Sequence, residues 1–391
     1  MNRILNLIAS SILLFMERFL SGKSLFIKKK SMLIIRLDAI GDYILFRNFI
    51  KEIKDSPKFS GYKISLLGNE KWRNIAETFD RSIIEKFIWA AAKRLKGQSN
   101  WKYRVSTMLK LHLGGYEIVL RPNDTKTKIT DYIITHCGAE KILDNSSNSI
   151  FSTEELEIIS SNGNIRNSNL DPESFFQFNR NRTFTEEITE SKSNILRPTI
   201  EIGKNKNAGE YIVIFPGAGQ KSRKWSAENF AVLCNKILEM KQIKIRICGN
   251  KNDRVTAKGI ILNCKSELIE DLTGKTNLSE LISVIANAKL LVSNETCAVH
   301  IGAAVVTNTI CISNGNHFGR FNPYPEKMAG FIKTIYPQQI LNEMHDYFAL
   351  VKKYHINSDV NINKITPEMV FEECQNFFSE KENFLIHQPE L

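Results

Sequence analysis

Residues 32–50 read MLIIRLDAIGDYILFRNFI. Met32 to Leu37 form an apolar run of the length and type of a buried parallel strand. Asp38-Ala39-Ile40-Gly41-Asp42 then makes a short turn with one glycine. Beyond it, Phe46, Phe49, Ile50 and Ile53 stand at i, i+3, i+4 and i+7, which is one face of a helix. Strand, tight turn and helix in this order open an α/β unit.

Working outward, the same grammar repeats. Strands are expected at Lys63–Leu67 and Glu117–Leu120, with helices around Trp72–Phe79 and Arg104–Leu113. Residues 145–207 are rich in Ser, Asn, Glu and Lys and carry the weakest periodicity, which suits a connection between domains. The pattern restarts at Tyr211–Phe215 (YIVIF), followed by the turn Pro216-Gly217-Ala218-Gly219 and the basic loop Gln220–Lys224. Ser226 is a natural N-cap for a helix through Phe230, Leu233, Cys234, Ile237 and Leu238. Ile243–Cys248, Leu290–Val292 and Thr309–Ile312 read as further strands. Asn277 and Glu280 have capping-box spacing, Ala298–Ala304 reads as a short helix, and Pro367–Phe378 is helical in period. The expected fold is α/β, with two Rossmann-like, doubly wound parallel-sheet domains facing a central cleft. Ligands in such sheets bind beyond the carboxyl ends of strands, where the distinctive loops here fall.

The expected division is an amphipathic segment at 1–31, a first domain at 32–190, a linker at 191–208, a second domain at 209–350 and a helical segment at 351–391. The chain has 391 residues, 42% hydrophobic and 24% charged, ordinary values for globular domains and poor ones for a disordered or polytopic membrane protein. Net charge is +11, which suits an anionic partner: a nucleotide, a nucleic acid or an anionic lipid surface. No zinc-finger spacing and no RNA-binding aromatic signature accompany it, so nucleic acid ranks last. The seven cysteines include no C-x-x-C pair and point to a reducing cytosol rather than a disulfide framework.

Ile4–Leu20 is apolar but broken by Glu17 and Arg18, and Lys28–Lys30 follow. It is short beside the ~20 residues that a membrane span needs. The preferred reading is a helix lying on the inner membrane face through residues 4–30, lysines at anionic headgroups. The other reading is a helix packed on the protein or on a second copy. A cytoplasmic place, peripheral on the membrane's inner face, follows from the first.

Three segments together resemble glycosyltransferase family 9, the heptosyltransferases. They are Ile34–Asp42 with its closing Gly-Asp pair, Phe215–Gly219 continuing through Ser222-Arg223-Lys224-Trp225, and Asp271-Leu272-Thr273-Gly274 through Ser293-Asn294-Glu295-Thr296 to His300. Their order and spacing agree over residues 32–325. The resemblance implies a GT-B fold, an inverting mechanism and an NDP-sugar donor, commonly ADP-heptose, with no metal or other cofactor.

On the family pattern Asp42 is the general base: a sugar hydroxyl is a poor nucleophile until a carboxylate takes its proton. The plain structural job for Asp42 is to cap the helix that follows. Asp38, in the same loop, is the competing carboxylate, and Asp38 and Gly41 are expected on the acceptor side. Gly217 and Gly219 permit close backbone approach, and Lys221, Ser222, Arg223 and Lys224 add charge and donors for a diphosphate leaving group. Asp253 is a candidate for the donor ribose. Asn294, Glu295, Thr296 and His300 complete the donor set; for His300 the alternative is a histidine packed inside a helix layer. His317 and Arg320 are candidate contacts to donor phosphates or an acidic acceptor. Glu295 and Cys297 depart from the family's Asn-Asp-Thr-Gly. A side chain then stands where the diphosphate approaches the backbone.

The function so implied is transfer of a heptose or related sugar from an NDP-sugar to a lipopolysaccharide or other lipid-linked saccharide. Two alternatives stay open: a non-catalytic sugar-nucleotide-binding homologue, and a GT-B nucleotide-sugar epimerase. An NAD-dependent oxidoreductase needs Gly-x-Gly-x-x-Gly after its first strand, and the single glycine here argues against it.

Overall fold

The structure is a computed structural model and describes residues 18, 20, 22–95, 100–122, 127–144, 171–203 and 210–380. The chain divides into two units, residues 1–158 with 181–195, and residues 159–180 with 196–391. The single boundary at 190 and the linker at 191–208 do not match this division. Part of the reason is a helix, Gln177–Thr189, inside the segment read as featureless. Its sequence is polar, yet Phe178, Phe184 and Ile188 are buried.

In the first unit the strands are β1 (Lys28–Arg36), β2 (Lys63–Asn69), β3 (Lys86–Ala90), β4 (Tyr116–Arg121) and β5 (Lys141–Asp144). All pairings are parallel, in the order β3-β2-β1-β4-β5. Helix α1 (Ile40–Asp55) follows β1 and buries Phe46, Phe49, Ile50 and Ile53. The helical face read from the sequence is therefore the packed one. Leu33, Ile35, Leu67, Val119 and Ile133 make up the core on the other side of the sheet.

β1 begins four residues earlier than expected. Lys28, Lys29 and Lys30 open this strand rather than ending a membrane-surface helix, with Lys28 opposite Tyr116 and Lys29 paired with Glu140 at 3.2 Å. Polar edge residues extend a strand once its neighbour supplies the ladder, and an apolar pattern cannot foresee this. Residues 1–17, which held most of the expected interfacial helix, lie outside the described residues, as do 145–170 and 204–209 of the expected connection. Among the described residues no helix is long and apolar enough to cross a membrane.

In the second unit six parallel strands run in the order β11-β10-β9-β6-β7-β8. They are β6 (Tyr211–Phe215), β7 (Lys244–Ile247), β8 (Ile269–Asp271), β9 (Leu290–Asn294), β10 (Thr309–Ile312) and β11 (Ile332–Ile335). Counted within the unit this is 3-2-1-4-5-6, the dinucleotide-fold order. Helix α2 (Ala227–Met240) starts at the Ser226 cap, whose hydroxyl accepts from the Asn229 N–H at 3.2 Å. Helix α3 (Arg254–Cys264) packs beside α2. The Asn277/Glu280 capping box is present in both halves and starts α4 (Leu278–Ala286). The C-terminal helix α5 (Pro367–Glu380) packs on α2 and places Val370 and Cys374 in the same core as Ile212, Phe230, Ile245 and Val292. Residues of the 351–380 stretch, Ile362, Ile365, Val370 and Cys374 among them, thus contribute to the second unit's core.

Candidate active site

Each sheet has one place where the strand order reverses. In the first unit it lies between β1 and β4, and in the second between β6 and β9. Loops leaving paired strands there diverge and leave a crevice. The loop after β1 carries Asp38–Asp42. The loops after β6 and β9 carry Pro216–Lys224 and Glu295-Thr296. Topology alone therefore puts the expected catalytic and donor residues at the two switch points.

Asp42 is the third residue of α1, and the N-cap is Ala39, which has no side chain to cap with. The capping job is therefore not the one Asp42 performs. Its carboxylate is half-buried, sits in the first turn where the helix dipole favours a negative charge, and has no hydrogen-bond or ion-pair partner among the described residues. Gly41 is buried one residue earlier. Asp38 differs: its carboxylate lies 2.8 Å from the buried Arg36 guanidinium.

In the second unit the loop after β6 is held at both ends by one side chain. Asn294, fully buried at the end of β9, donates through Nδ2 to the Pro216 carbonyl at 2.8 Å. Its Oδ1 accepts the Trp225 main-chain N–H at 3.2 Å. Trp225 is buried in turn, donating through its indole to the Ile365 carbonyl at 2.8 Å. Asn294 is placed to shape the loop rather than to face a ligand.

Asp253 is also turned inward. It is 1% exposed, one oxygen 3.2 Å from Lys224 Nζ and the other accepting the Asn250 N–H at 3.0 Å. A Cβ on Gly217 would meet this carboxylate at 2.6 Å, and one on Gly249 at 3.0 Å. Both glycines are needed because the carboxylate fills the space beneath them. In this arrangement Asp253 fixes Lys224 and the Gly217 turn and does not present itself to a ribose.

Lys221 and Ser222 are exposed on a short 3-10 turn, while Arg223 is half-buried and lies against Gly219. Arg223 Nη1 is 3.7 Å from Glu295. Glu295 is buried, accepts the Ser313 hydroxyl at 2.6 Å and lies 3.8 Å from His317 Nδ1. The added methylene relative to aspartate is what this carboxylate spends in reaching inward to Ser313. Thr296 caps the helix Cys297–Val305, its hydroxyl accepting the Ala298 N–H at 3.2 Å. Burial pushes the Cys297 thiol up to about 11.

His300 takes the packed alternative. It is buried, its Nδ1 lies 2.6 Å from the Tyr324 hydroxyl, and its ring meets Phe321 edge-on at 5.6 Å. Burial lowers its pKa to about 4, so it is uncharged at neutral pH. Arg320 donates to Gln177 Oε1 at 2.9 Å and lies over Phe321.

Residues that the sequence reading missed are the supports: Arg36, Asn69 and Trp72 behind Asp38, and Asn314, whose buried amide donates to the Ser222, Ser358 and Val360 carbonyls at 3.1–3.4 Å. Nothing in spacing marks Asn69, Trp72 or Asn314, because each acts across the fold, and Arg36 reads as an ordinary strand end until its burial is seen. Among the described residues, no group of three or more His, Cys, Asp or Glu is arranged to hold a metal ion.

What the loop can do follows from its charges. Lys221, Arg223 and Lys224 outnumber the two buried carboxylates Asp253 and Glu295. Helix termini add backbone N–H groups at the same end of the sheet. Such an arrangement has the charge and the N–H donors that anion binding calls for.

Residues 176–352 match the model of Glycosyltransferase family 9 (heptosyltransferase). The match covers the donor-side loops and leaves Asp42 outside. Lipopolysaccharide heptosyltransferase 3 of Escherichia coli (strain K12) is 27% identical over 122 residues, 31% of this chain and 36% of that protein. The match thus spans about a third of that curated relative. The glycosyl transferase family 9 structure from Veillonella parvula DSM 2008 superposes with a TM-score of 0.65 at 16% identity, covering 91% of this chain and 99% of that one. E. coli heptosyltransferase WaaC with ADP-2-deoxy-2-fluoro heptose gives 0.62 at 16% identity, covering 88% and 99%. The fold is GT-B.

Proposed function

We propose, from the premise that the chain is a heptosyltransferase-like protein of glycosyltransferase family 9 type, that it is an inverting glycosyltransferase. The donor is an NDP-sugar, ADP-heptose first, and the acceptor a lipopolysaccharide or other lipid-linked saccharide. The observation that carries this reading is the loop Pro216–Trp225, held at both ends by Asn294 and loaded with Arg223 and Lys224 at the second unit's switch point.

In the proposed reaction Asp42 takes the proton from the acceptor hydroxyl as its oxygen bonds to the anomeric carbon. The bond from that carbon to the diphosphate oxygen breaks on the opposite face. The departing negative charge is met by Arg223, Lys224, Lys221 and main-chain N–H groups near Gly217, Gly219 and Thr296, so that no metal is required. General-base help of this kind contributes about 10²–10⁴-fold. Asp38 is read as Arg36's partner, and Asn294, Asp253 and Glu295 as supports of the cradle.

A second reading, a sugar-nucleotide-binding homologue without transfer, is favoured by one observation: Cys297 stands where the family has glycine. The discriminating experiment starts with thermal shift against ADP, UDP, GDP and CMP, with and without magnesium. It continues with release of ADP from ADP-heptose in the presence of a core-truncated lipopolysaccharide. A magnesium-independent shift with one diphosphate, plus release that D42N abolishes, is the expected result. A shift without release under any acceptor favours the second reading, and no shift at all removes both. A location on the inner membrane face, through the segment that precedes β1, is part of the proposal and is tested by sedimentation with anionic vesicles.

A further inference from the structure

Arg36 is the last residue of β1 and is 1% exposed. A guanidinium stays charged at any working pH, so burying one requires a partner. It finds two, both in the loop that follows. Its Nη2 lies 2.8 Å from the Asp38 carboxylate and donates to the Asp42 main-chain carbonyl at 2.9 Å. The face of the guanidinium lies 4.5 Å from the centre of the Phe46 ring, one turn further along α1. One side chain thus touches the start, the end and the floor of the Asp38–Asp42 loop.

The rest of the loop is held from β2. Asn69 Nδ2 donates to the Leu37 and Asp38 carbonyls at 3.0 and 3.1 Å, and Trp72 Nε1 to the Asp38 carbonyl at 3.2 Å. Trp72 stacks on Tyr43, the residue after Asp42, at 3.9 Å between ring centres. Asp38 is therefore fixed by main chain and side chain alike, while the Asp42 carboxylate has no such engagement among the described residues.

We propose that Arg36 is a positioning residue for Asp42, and that Asp38 is the counter-ion that lets Arg36 be buried there, not a second base and not an acceptor ligand. The proposal rests on the reading of Asp42 as the base. A carboxylate held by a buried guanidinium cannot turn to an acceptor hydroxyl without leaving that charge unpaired in the core. The Asp42 carboxylate, with no partner among the described residues, is the one left free to meet an acceptor hydroxyl. Its aim depends on the turn that carries it, and a misplacement of about 1 Å costs ~10²-fold in rate.

The test uses the full chain in four forms: D42N, D38N, R36K and the double variant R36M/D38N. The double variant removes both charges together, so no unpaired ion is left in the core. Release of ADP from ADP-heptose with a core-truncated lipopolysaccharide gives kcat and both KM values. Amide exchange over residues 38–43, without ligand, reports the turn itself. D38N is expected to keep kcat within ~10-fold of the parent, since Asn still accepts from Arg36. R36M/D38N is expected to lose ~100-fold in kcat with both KM values nearly unchanged, and to exchange faster at residues 40–43. R36K should fall between, because an ammonium keeps the charge but not the planar fork. D38N as inactive as D42N would make Asp38 the base and overturn the proposal. A double variant with a loosened turn and full kcat would reduce Arg36 to a structural role. Should the parent release no ADP, the Asp42 reading fails by itself, and unchanged exchange in R36M/D38N would still refute the clamp.

Discussion

Asn294 and Trp225 are 69 positions apart, yet the Trp225 main-chain N–H donates to the Asn294 side-chain oxygen at 3.2 Å, while the same amide's nitrogen donates to Pro216 at 2.8 Å. The two bonds close the Pro216–Trp225 loop into a ring with one side chain as its clasp. N294A leaves a buried N–H and a buried carbonyl without partners. A cost of about 2–4 kcal/mol is expected, taking ~1–3 for each unsatisfied group with partial relaxation. The checks are urea unfolding and ADP affinity measured together, and an affinity loss of ~10-fold or more is expected. A variant as unstable as this but with normal ADP binding would show that the clasp serves the core and not the cradle.

Gly217 and Asp253 make a reciprocal pair. A methyl at position 217 would sit 2.6 Å from the Asp253 carboxylate. G217A is expected to destabilise the second unit by about 1–3 kcal/mol, the usual range for overpacking. Shortening the partner should relieve it, so G217A/D253A is expected to be more stable than the sum of the two single changes. Thermal unfolding of the four members of this cycle is the measurement, and strict additivity would place the strain elsewhere.

His300 gives the protein a pH dependence of definite sign. Its folded pKa of about 4 lies below the ordinary value of 6.5, so the unfolded chain binds more protons between these limits. Stability from this residue is complete above about 6.5 and is lost as pH falls towards 4. The loss has an upper bound on the order of 3 kcal/mol, from 1.36 kcal/mol per unit. H300Q, which cannot take up a proton, should show a shallower fall in stability between these values. Parallel curves for parent and H300Q would contradict the buried, neutral histidine.

Glu295 bears on the departure from the family pattern. E295D restores the family's residue type but shortens the reach to Ser313 and Arg223 by roughly 1.5 Å, one carbon–carbon bond. Because the longer arm is used inward, E295D is expected to weaken ADP binding by several-fold. Isothermal titration decides this, and tighter binding by E295D would mean that glutamate is a handicap here.

Much of the architecture is legible in the chain itself because it is local. Phe46, Phe49, Ile50 and Ile53 announce α1, and Asn277 with Glu280 announces a capping box that the fold keeps in both halves. What failed is what other segments decide. Lys28–Lys30 join β1 because β4 offers a partner at Tyr116. The helix Gln177–Thr189 is polar in sequence, and Asn181 within it donates to the Leu45 carbonyl 136 positions away. The site divides in the same way. Loops with charge and glycine were visible, but Asp253 and Asn294 look like ligands in the sequence and are braces in the fold. Only the three-dimensional neighbourhood, with Lys224 and Gly217 around one and Pro216 and Trp225 around the other, reveals that difference.

The indole of Trp225 hangs from the Ile365 carbonyl, and Ile365 lies two residues before the C-terminal helix α5. The last stretch of described chain is therefore the back wall of the loop that starts at Pro216. A proteolytic nick or premature stop near residue 360 would not read as loss of a dispensable tail. It would release the tryptophan, open the ring clasped by Asn294, and present itself to the experimenter as a defect in nucleotide recognition some 140 residues upstream.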